Sequence, residues 1–335
     1  MTASDGTSAL VDTPGLGLYV HIPFCERKCP YCDFNAYAGL HHLYAPYAQA
    51  LAQEIARAGD ALGHPPARTI FIGGGTPTVL PVALLAEVID AIHRAFVVAP
   101  EAEVTSEANP GTVDRARFSG LRTLGVNRLS MGAQSFDDEE LRFLGRIHSA
   151  EDVERAFAAA RAAGFDNINL DLIYGLPGQD AKTWARTLAR ARALAPEHIS
   201  CYSLTVEAGT PLARWVAEGS VPPPDDDLAA DLYEEAEATL AEAGYEHYEI
   251  SNWARLSTPS SPPTPSLPQG GRGGPTRVGI FISGQSREYP SPPAPLPLAG
   301  EGSQPEPSPR RGEGRVRGDQ ALTVGCSQKY LLLSG

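Results

Sequence analysis

Cys25-Glu26-Arg27-Lys28-Cys29-Pro30-Tyr31-Cys32 follows closely on a short extended run, Leu18-Tyr19-Val20-His21, and its reading governs that of the chain around it. Three thiolates spaced C-x3-C-x2-C on one short loop hold three corners of a cubane iron–sulfur cluster and leave the fourth iron open. An open iron takes a small chelating ligand. The amino and carboxylate groups of S-adenosylmethionine (SAM) suit it, and a reduced cluster cleaves the SAM sulfonium to a 5'-deoxyadenosyl radical. The competing reading is structural zinc, which wants four ligands in a closed tetrahedron, usually as two separated pairs. No second pair is present: Cys201 and Cys326 are isolated, and His21, His41 and His42 lack finger-type spacing.

An odd cysteine count, five in all, argues against a disulfide framework. Met1 to Pro14 has no basic region and no apolar run long enough for a secretory signal, and Tyr330 to Leu333 is too short to cross a bilayer. The expectation is a cytoplasmic protein with no transmembrane segment. The first 257 residues carry −16 of the total charge of −13, which disfavours nonspecific binding to nucleic acid or anionic membranes.

Outward from the cysteine loop, short β-rich runs alternate with longer helical ones, the pattern of parallel strands joined by crossover helices. Strands are expected at Leu18–His21, Thr69–Ile72, Glu103–Glu107, Arg128–Met131, Asn167–Ile173 and His198–Leu204. Helices are expected at Tyr44–Ala58, Pro81–Phe96, Asp114–Leu124, Ala150–Ala163, Ala181–Leu194 and Asp226–Ala243. Six units are too few for a closed eightfold barrel, so the α/β fold expected is a partial (β/α)6 barrel over residues 15–256. A further extended run, Tyr245–Ser251, adds a seventh strand candidate. Residues 1–14 read as a flexible N-terminus. From Thr258 to Gly318 there are 14 prolines and 11 glycines in 61 residues, too few apolar side chains to offset the entropy of ordering. Residues 257–335 therefore read as a Pro/Gly-rich, low-complexity, disordered tail.

In such barrels the chemistry sits at the C-terminal ends of the strands, where the unusual motifs fall. Gly73-Gly74-Gly75-Thr76-Pro77-Thr78 ends the second strand, either as a tight turn or as exposed amides for a ligand carboxylate or ribose. It is not a phosphate-binding P-loop. Glu107 closes the third strand, as a solvated strand end or an acceptor for an amine or hydroxyl. Gln134 and Asp171 are polar groups on the fourth and fifth strands that must be paired or face a ligand. Arg146 is either a surface arginine or a fork of donors for a carboxylate. Trp184, Trp215 and Trp253 read as packing residues, and His247 as a hydrogen-bonded strand histidine or a heme ligand. No catalytic residue is assigned.

Taken in order, Tyr-Val-His-Ile-Pro-Phe-Cys from Tyr19, the cysteine triad, Gly-Gly-Gly-Thr-Pro-Thr, Glu-Ala-Asn-Pro, Gly-Ala-Gln-Ser-Phe, Leu-Gly-Arg-Ile-His, Asp-Leu-Ile-Tyr-Gly-Leu-Pro-Gly-Gln and Tyr-Glu-Ile-Ser-Asn-Trp-Ala resemble the radical SAM proteins related to oxygen-independent coproporphyrinogen III oxidase. The resemblance spans Gly15 to Arg255. It implies a [4Fe–4S] cluster on Cys25, Cys29 and Cys32, with Tyr31 packed on the SAM adenine and Tyr19, Gly74, Gly75, Thr76 and Glu107 around SAM. Gln134, Arg146 and Asp171 match positions that line SAM or a second SAM molecule.

Two branches share these motifs, the oxidase and a heme chaperone. The oxidase extends its triad to C-x3-C-x2-C-x-C and carries a long N-terminal arm. This sequence has Phe34 at the extra position and 18 residues before Tyr19, both features of the chaperone branch. The implied partners are heme or porphyrin, heme-acceptor proteins and a cellular electron donor. After Ala254 the branch continues into an HNxxYW segment and a helical domain that do not appear here, and Ser-Pro-Pro-x-Pro recurs at 261 and 291 as in translated repetitive DNA. Without that domain the expectation is an uncovered barrel edge and an uncovered apolar inner face.

Overall fold

A computed structural model describes residues 15–255 and 279–283. The expected flexible N-terminus lies outside the described residues, as does the expected disordered tail except for residues 279–283. Six parallel strands form the body: β1 (Leu16–Ile22), β2 (Pro66–Gly74), β3 (Val97–Ala108), β4 (Arg128–Gln134), β5 (Ile168–Tyr174) and β6 (His198–Ser203). Three more complete the sheet, β7 (Tyr245–Glu249), β8 (Asn252–Arg255) and β9 (Gly279–Ser283), in the order β9-β1-β2-β3-β4-β5-β6-β8-β7. The helices are α1 (Tyr44–Leu62), α2 (Val82–Ala95), α3 (Arg115–Thr123), α4 (Asp138–Phe143), α5 (Ala150–Ala162), α6 (Ala181–Ala193), α7 (Pro211–Ala217) and α8 (Asp226–Glu242).

The expected partial barrel of six βα units is present, with departures at its margins. The Tyr245–Ser251 run yields β7, but β8 stands between it and β6. Both pairings of β8 are antiparallel, so the parallel winding stops there. α4 and α7 are short helices that the sequence pattern did not reveal. β9 pairs in parallel with the free edge of β1, an ordered piece within the stretch read as tail.

Local sequence sets the helix starts. Asp114, Asp180, Thr210 and Asp225 each accept a backbone N–H from the first turn of their helix, and Ser149 with Asp152 makes a reciprocal capping box on α5. On the outward face of the strands Leu18, Val20, Ile22, Ile70, Ile72, Leu129, Met131, Ile168, Leu170 and Leu172 are buried in one continuous cluster with the helices. Trp184 on α6 is fully buried, and its indole N–H donates to the Leu232 carbonyl of α8 at 2.8 Å.

Alternate residues on a strand share a face, and the register brings the inward ones into rows. Glu107 pairs with Ser130, Ser130 with Asn169, and Asn169 with His198; above that row Gly132 pairs with Asp171, Asp171 with Ser200, and Ser200 with Asn252. The inner face is therefore largely polar and hydrogen-bonded. The expected apolar inner face is corrected for these rows: they carry polar groups, and Leu129, Met131, Ile168, Leu170 and Leu172 belong to the outer, helix-covered side.

Candidate functional site

β1 delivers the chain to the mouth of the barrel. There Phe24–Cys25 pairs in parallel with Tyr37–Ala38, closing the cysteine loop at its base, and the Tyr37 N–H donates to the Pro23 carbonyl at 2.8 Å. Inside the loop the Cys32 N–H donates to the Cys29 carbonyl at 3.2 Å. All three thiols are half-buried. The Thr76 hydroxyl donates to Cys25 Sγ at 3.6 Å, and Arg146 Nη1 donates to Cys29 Sγ at 3.5 Å. The loop is held from the far side by α7, where the Leu212 N–H donates to the Pro30 carbonyl at 3.0 Å. Gly145 makes room for the Pro30 ring; a Cβ there would stand 2.6 Å from Pro30 Cδ. Burial raises the Cys25 thiol, against the Thr76 hydrogen bond, and pushes Cys32 up to about 11. Metal loading must therefore displace protons. Among the described residues no three His, Cys, Asp or Glu side chains converge as a single metal ion requires. A cubane spreads its thiolates over separate irons and does not need that convergence.

The glycine run at the end of β2 is dictated by close approach. A Cβ on Gly75 would lie 2.5 Å from the Phe24 carbonyl oxygen; one on Gly74, whose φ is +116, would lie 2.5 Å from the His21 ring; one on Gly73 would lie 2.9 Å from Glu107 Oε2. The amides are used within the protein. Gly74 N–H donates to Glu107 Oε2 at 2.9 Å, Gly75 N–H to the Ile22 carbonyl at 2.8 Å and Thr76 N–H to the Phe24 carbonyl at 2.7 Å. The run thus splices β1, the cysteine loop and Glu107 together, and the alternative of amides left exposed for a ligand is not what the structure contains.

Glu107 and Asp171 face each other's field inside the mouth. Burial and the nearby Asp171 push Glu107 up to about 7 despite the Gly74 N–H. Burial also raises Asp171, against hydrogen bonds from Ser130 Oγ to Oδ2 at 3.0 Å and from Asn169 Nδ2 to Oδ1 at 2.8 Å. Two carboxyls that resist ionisation together make a pocket that favours a cationic group.

Arg146 lies beside Tyr31 and Cys29, with Nη2 donating to the Gly132 carbonyl at 2.8 Å. Its Nε is buried without a partner, an unmet donor next to the cysteine loop. Gln134 stands in the left-handed region, φ +67, after a register shift between Gly132 and Gln134. A Cβ on Gly132 would sit 2.8 Å from Gln134 Nε2 and 3.3 Å from Arg146 Nη2, so this glycine admits both side chains. The Tyr19 ring stacks on Phe71, centroids 6.0 Å apart. His21 Nε2–H donates to the Asn35 carbonyl at 2.9 Å, which leaves Nδ1 to accept from Tyr19 OH at 3.2 Å.

Every site residue expected from the sequence thus stands at the mouth or on the strands leading to it. His21, Ser130, Asn169 and His148 were missed. His148 sits between the Asn109 Oδ1 and Ala133 carbonyl oxygens, 3.1 and 3.0 Å away, in the segment that carries Arg146. The signal for the strand residues was there in period-two alternation: each lies between two core residues. His247 stands on β7, at the end of the sheet. It stacks on Trp253, centroids 4.6 Å apart, with Nε2 3.2 Å from Tyr233 OH. Trp184 and Trp253 are fully buried, as expected of packing residues. Three thiols on one loop, donors aimed at two of their sulfurs and an unmet guanidinium N–H fit a cubane with an open corner at the mouth.

A family model described as the Radical SAM superfamily matches residues 19–191. Among curated relatives, a heme chaperone HemW of Escherichia coli K12 is 41% identical over 249 residues, 73% of this chain and 64% of the relative. HemW of Synechocystis is 40% identical over 243 residues, 71% of this chain and 58% of the relative. The chain therefore spans about three fifths of the length of these relatives. Among solved structures, coproporphyrinogen III oxidase (HemN) from Escherichia coli, described as a radical SAM enzyme, superposes with TM-score 0.67 at 32% identity, covering 74% of this chain and 57% of that one.

Proposed function

From the premise that this chain belongs to the radical SAM superfamily, we propose that it is a heme-chaperone-like member of it, acting in the cytoplasm. It holds a [4Fe–4S] cluster on Cys25, Cys29 and Cys32, binds SAM at the open corner and passes heme to acceptor proteins. The observation that carries the reading is the cysteine loop locked to the strand ends by Thr76 and Arg146, in a chain about 40% identical to HemW heme chaperones. When bound, the cluster supplies single electrons, delivered by a cellular donor, to the SAM sulfonium.

The residues divide the work. Thr76 and Arg146 stabilise thiolate charge on Cys25 and Cys29. Glu107 and Asp171 receive the cationic end of SAM, and Tyr31, half-buried beside Arg146, packs against its adenine. Tyr19, stacked on Phe71, forms with Gly74 and Gly75 the wall under the ligand, while Gln134 reaches in from β4. Among the described residues no helix is long and apolar enough to cross a membrane.

A second reading, an oxygen-independent coproporphyrinogen III oxidase with a role in porphyrin biosynthesis, is favoured by the likeness to HemN. Phe34, 47% exposed where the oxidase carries a further cysteine, speaks against it. Anaerobically reconstituted protein, given coproporphyrinogen III, SAM and a reductant, is expected to leave the propionates intact. Given hemin, it is expected to take up heme and release it to an apo-cytochrome. Decarboxylation over many turnovers would establish the oxidase instead; failure to bind hemin would end the chaperone reading.

A further inference from the structure

The Tyr-Glu-Ile-Ser-Asn-Trp-Ala stretch at 248–254 spans the turn of the β7–β8 hairpin at the end of the sheet. Two of its side chains reach back across the inner face. Tyr248, 41% exposed, lies with its hydroxyl 2.7 Å from His198 Nε2. His198 Nδ1 is 2.6 Å from Asn169 Oδ1. Asn169, 2% exposed, donates through Nδ2 to Asp171 Oδ1 and to Ser130 Oγ, both at 2.8 Å. Ser130 in turn donates to Asp171 Oδ2.

The direction of every bond in this chain is fixed from one end. Asp171 accepts from both Ser130 and Asn169, and the Ser130 hydroxyl, already donating to Asp171, can only accept from Asn169, so the Asn169 NH2 faces this pair and the Asn169 carbonyl faces His198. His198 Nδ1 then carries the proton, and Nε2, left as an acceptor, takes the Tyr248 O–H. Burial keeps this imidazole neutral, pushed down to about 3, and the Asn169 carbonyl selects its Nδ1–H tautomer. A second strut runs alongside. Ser200 Oγ donates to Asn252 Oδ1 at 2.8 Å, and Asn252 Nδ2 donates to Glu249 Oε2 at 2.6 Å, which orients the hairpin against β6. If the Asn169 amide turned over, its oxygen would oppose the Asp171 carboxylate at 2.8 Å. His198 and Tyr248 prevent that.

We propose that His198 and Tyr248 are positioning residues for Asp171, so that the β7–β8 hairpin serves as the remote half of the SAM-binding site. Through Asn169 and Ser130 they saturate the inward lone pairs of the carboxylate and turn the remaining ones to the mouth. The proposal rests on the reading that Asp171 meets bound SAM.

The test uses the full chain, anaerobically reconstituted, with SAM titrated calorimetrically and iron content measured for each variant. Asp171→Ala is expected to weaken SAM binding about tenfold, the loss of one charge-assisted contact. His198→Phe, at a residue that touches no ligand, is expected to weaken it by a similar factor at unchanged iron content. Tyr248→Phe, which removes one hydroxyl at the surface and preserves the fold, should cost about threefold. His198→Asn restores a donor near the Nδ1 position and is expected to recover most of the affinity. The double variant Asp171→Ala/His198→Phe should bind no worse than Asp171→Ala alone, because the two act through one carboxylate. Wild-type affinity in Asp171→Ala would remove the reading beneath the proposal. Weakening in Asp171→Ala with wild-type affinity in His198→Phe and Tyr248→Phe, or fully additive losses in the double variant, would overturn the proposal alone.

Discussion

Along β4 and β5 the residues turned to the helices are Leu129, Met131, Ile168, Leu170 and Leu172, all fully buried, whereas those turned to the interior are Ser130, Gly132, Asn169 and Asp171. The outer set acts through area and shape, so one aliphatic residue substitutes for another at modest cost. The inner set acts through directed bonds that run from one side chain to the next, so a single exchange reorients its neighbours. Packing and directed polar contacts are thus carried by opposite sides of the same strands.

The largest effect expected is all-or-none and lies at the mouth. Cys29→Ala should take anaerobic reconstitution from about four irons per chain to none, with the charge-transfer absorption lost and the unfolding midpoint of the apoprotein nearly unmoved. Tight binding of one zinc by the wild type, without such absorption, would instead point to the tetrahedral reading.

On the outer side, Phe118→Ala should cost about 3–5 kcal/mol in denaturant unfolding, because Phe118 is fully buried against Phe165. The folded fraction should still load iron. Loss of cluster binding in material that remains folded would show that the two faces are not separable.

Glu107 tests the inner side through pH. Its carboxyl ordinarily releases its proton at 4.5 and here holds it to about 7. The folded apoprotein then binds more protons than the unfolded chain between those values, so stability falls as pH rises through that window. Glu107→Gln should remove this slope, raising apoprotein stability at pH 8 by up to about 3 kcal/mol and changing it little at pH 4. A variant as pH-sensitive as the wild type would mean that Glu107 is hydrated in the open mouth.

Ser200→Ala should be the mildest, about 1 kcal/mol, since it leaves Asn252 Oδ1 short of one donor. A neutral result would mean that water replaces the hydroxyl there.

The outer side is also the side that the sequence disclosed. Val20, Ile70, Ile72 and Leu170 mark strands by themselves, and the alanine- and leucine-rich faces of α5 and α6 mark helices, so six βα units could be located without coordinates. Glu107 and Gln134 stood out as candidates because they lie at strand ends, where a barrel presents its ligand-binding groups. What stayed hidden depends on contacts distant in sequence. Asn169 and His198 are inconspicuous until β5 and β6 are paired, and the glycine run shows its purpose only when His21, Phe24 and Glu107 crowd against it. The antiparallel turn of β8 follows from a hairpin of two residues between Glu249 and Asn252, too short for a crossover.

The pairing of β9 with β1 has a consequence in time. Gly17 is among the first residues of the barrel to leave the ribosome, and its partner Gly279 follows roughly 260 residues later, on the order of tens of seconds at ordinary synthesis rates. Throughout that interval the outer edge of β1, the strand that leads into the cysteine loop, offers unpaired backbone groups to any other extended chain nearby. Among the described residues, the last strand to be made covers the edge of the first.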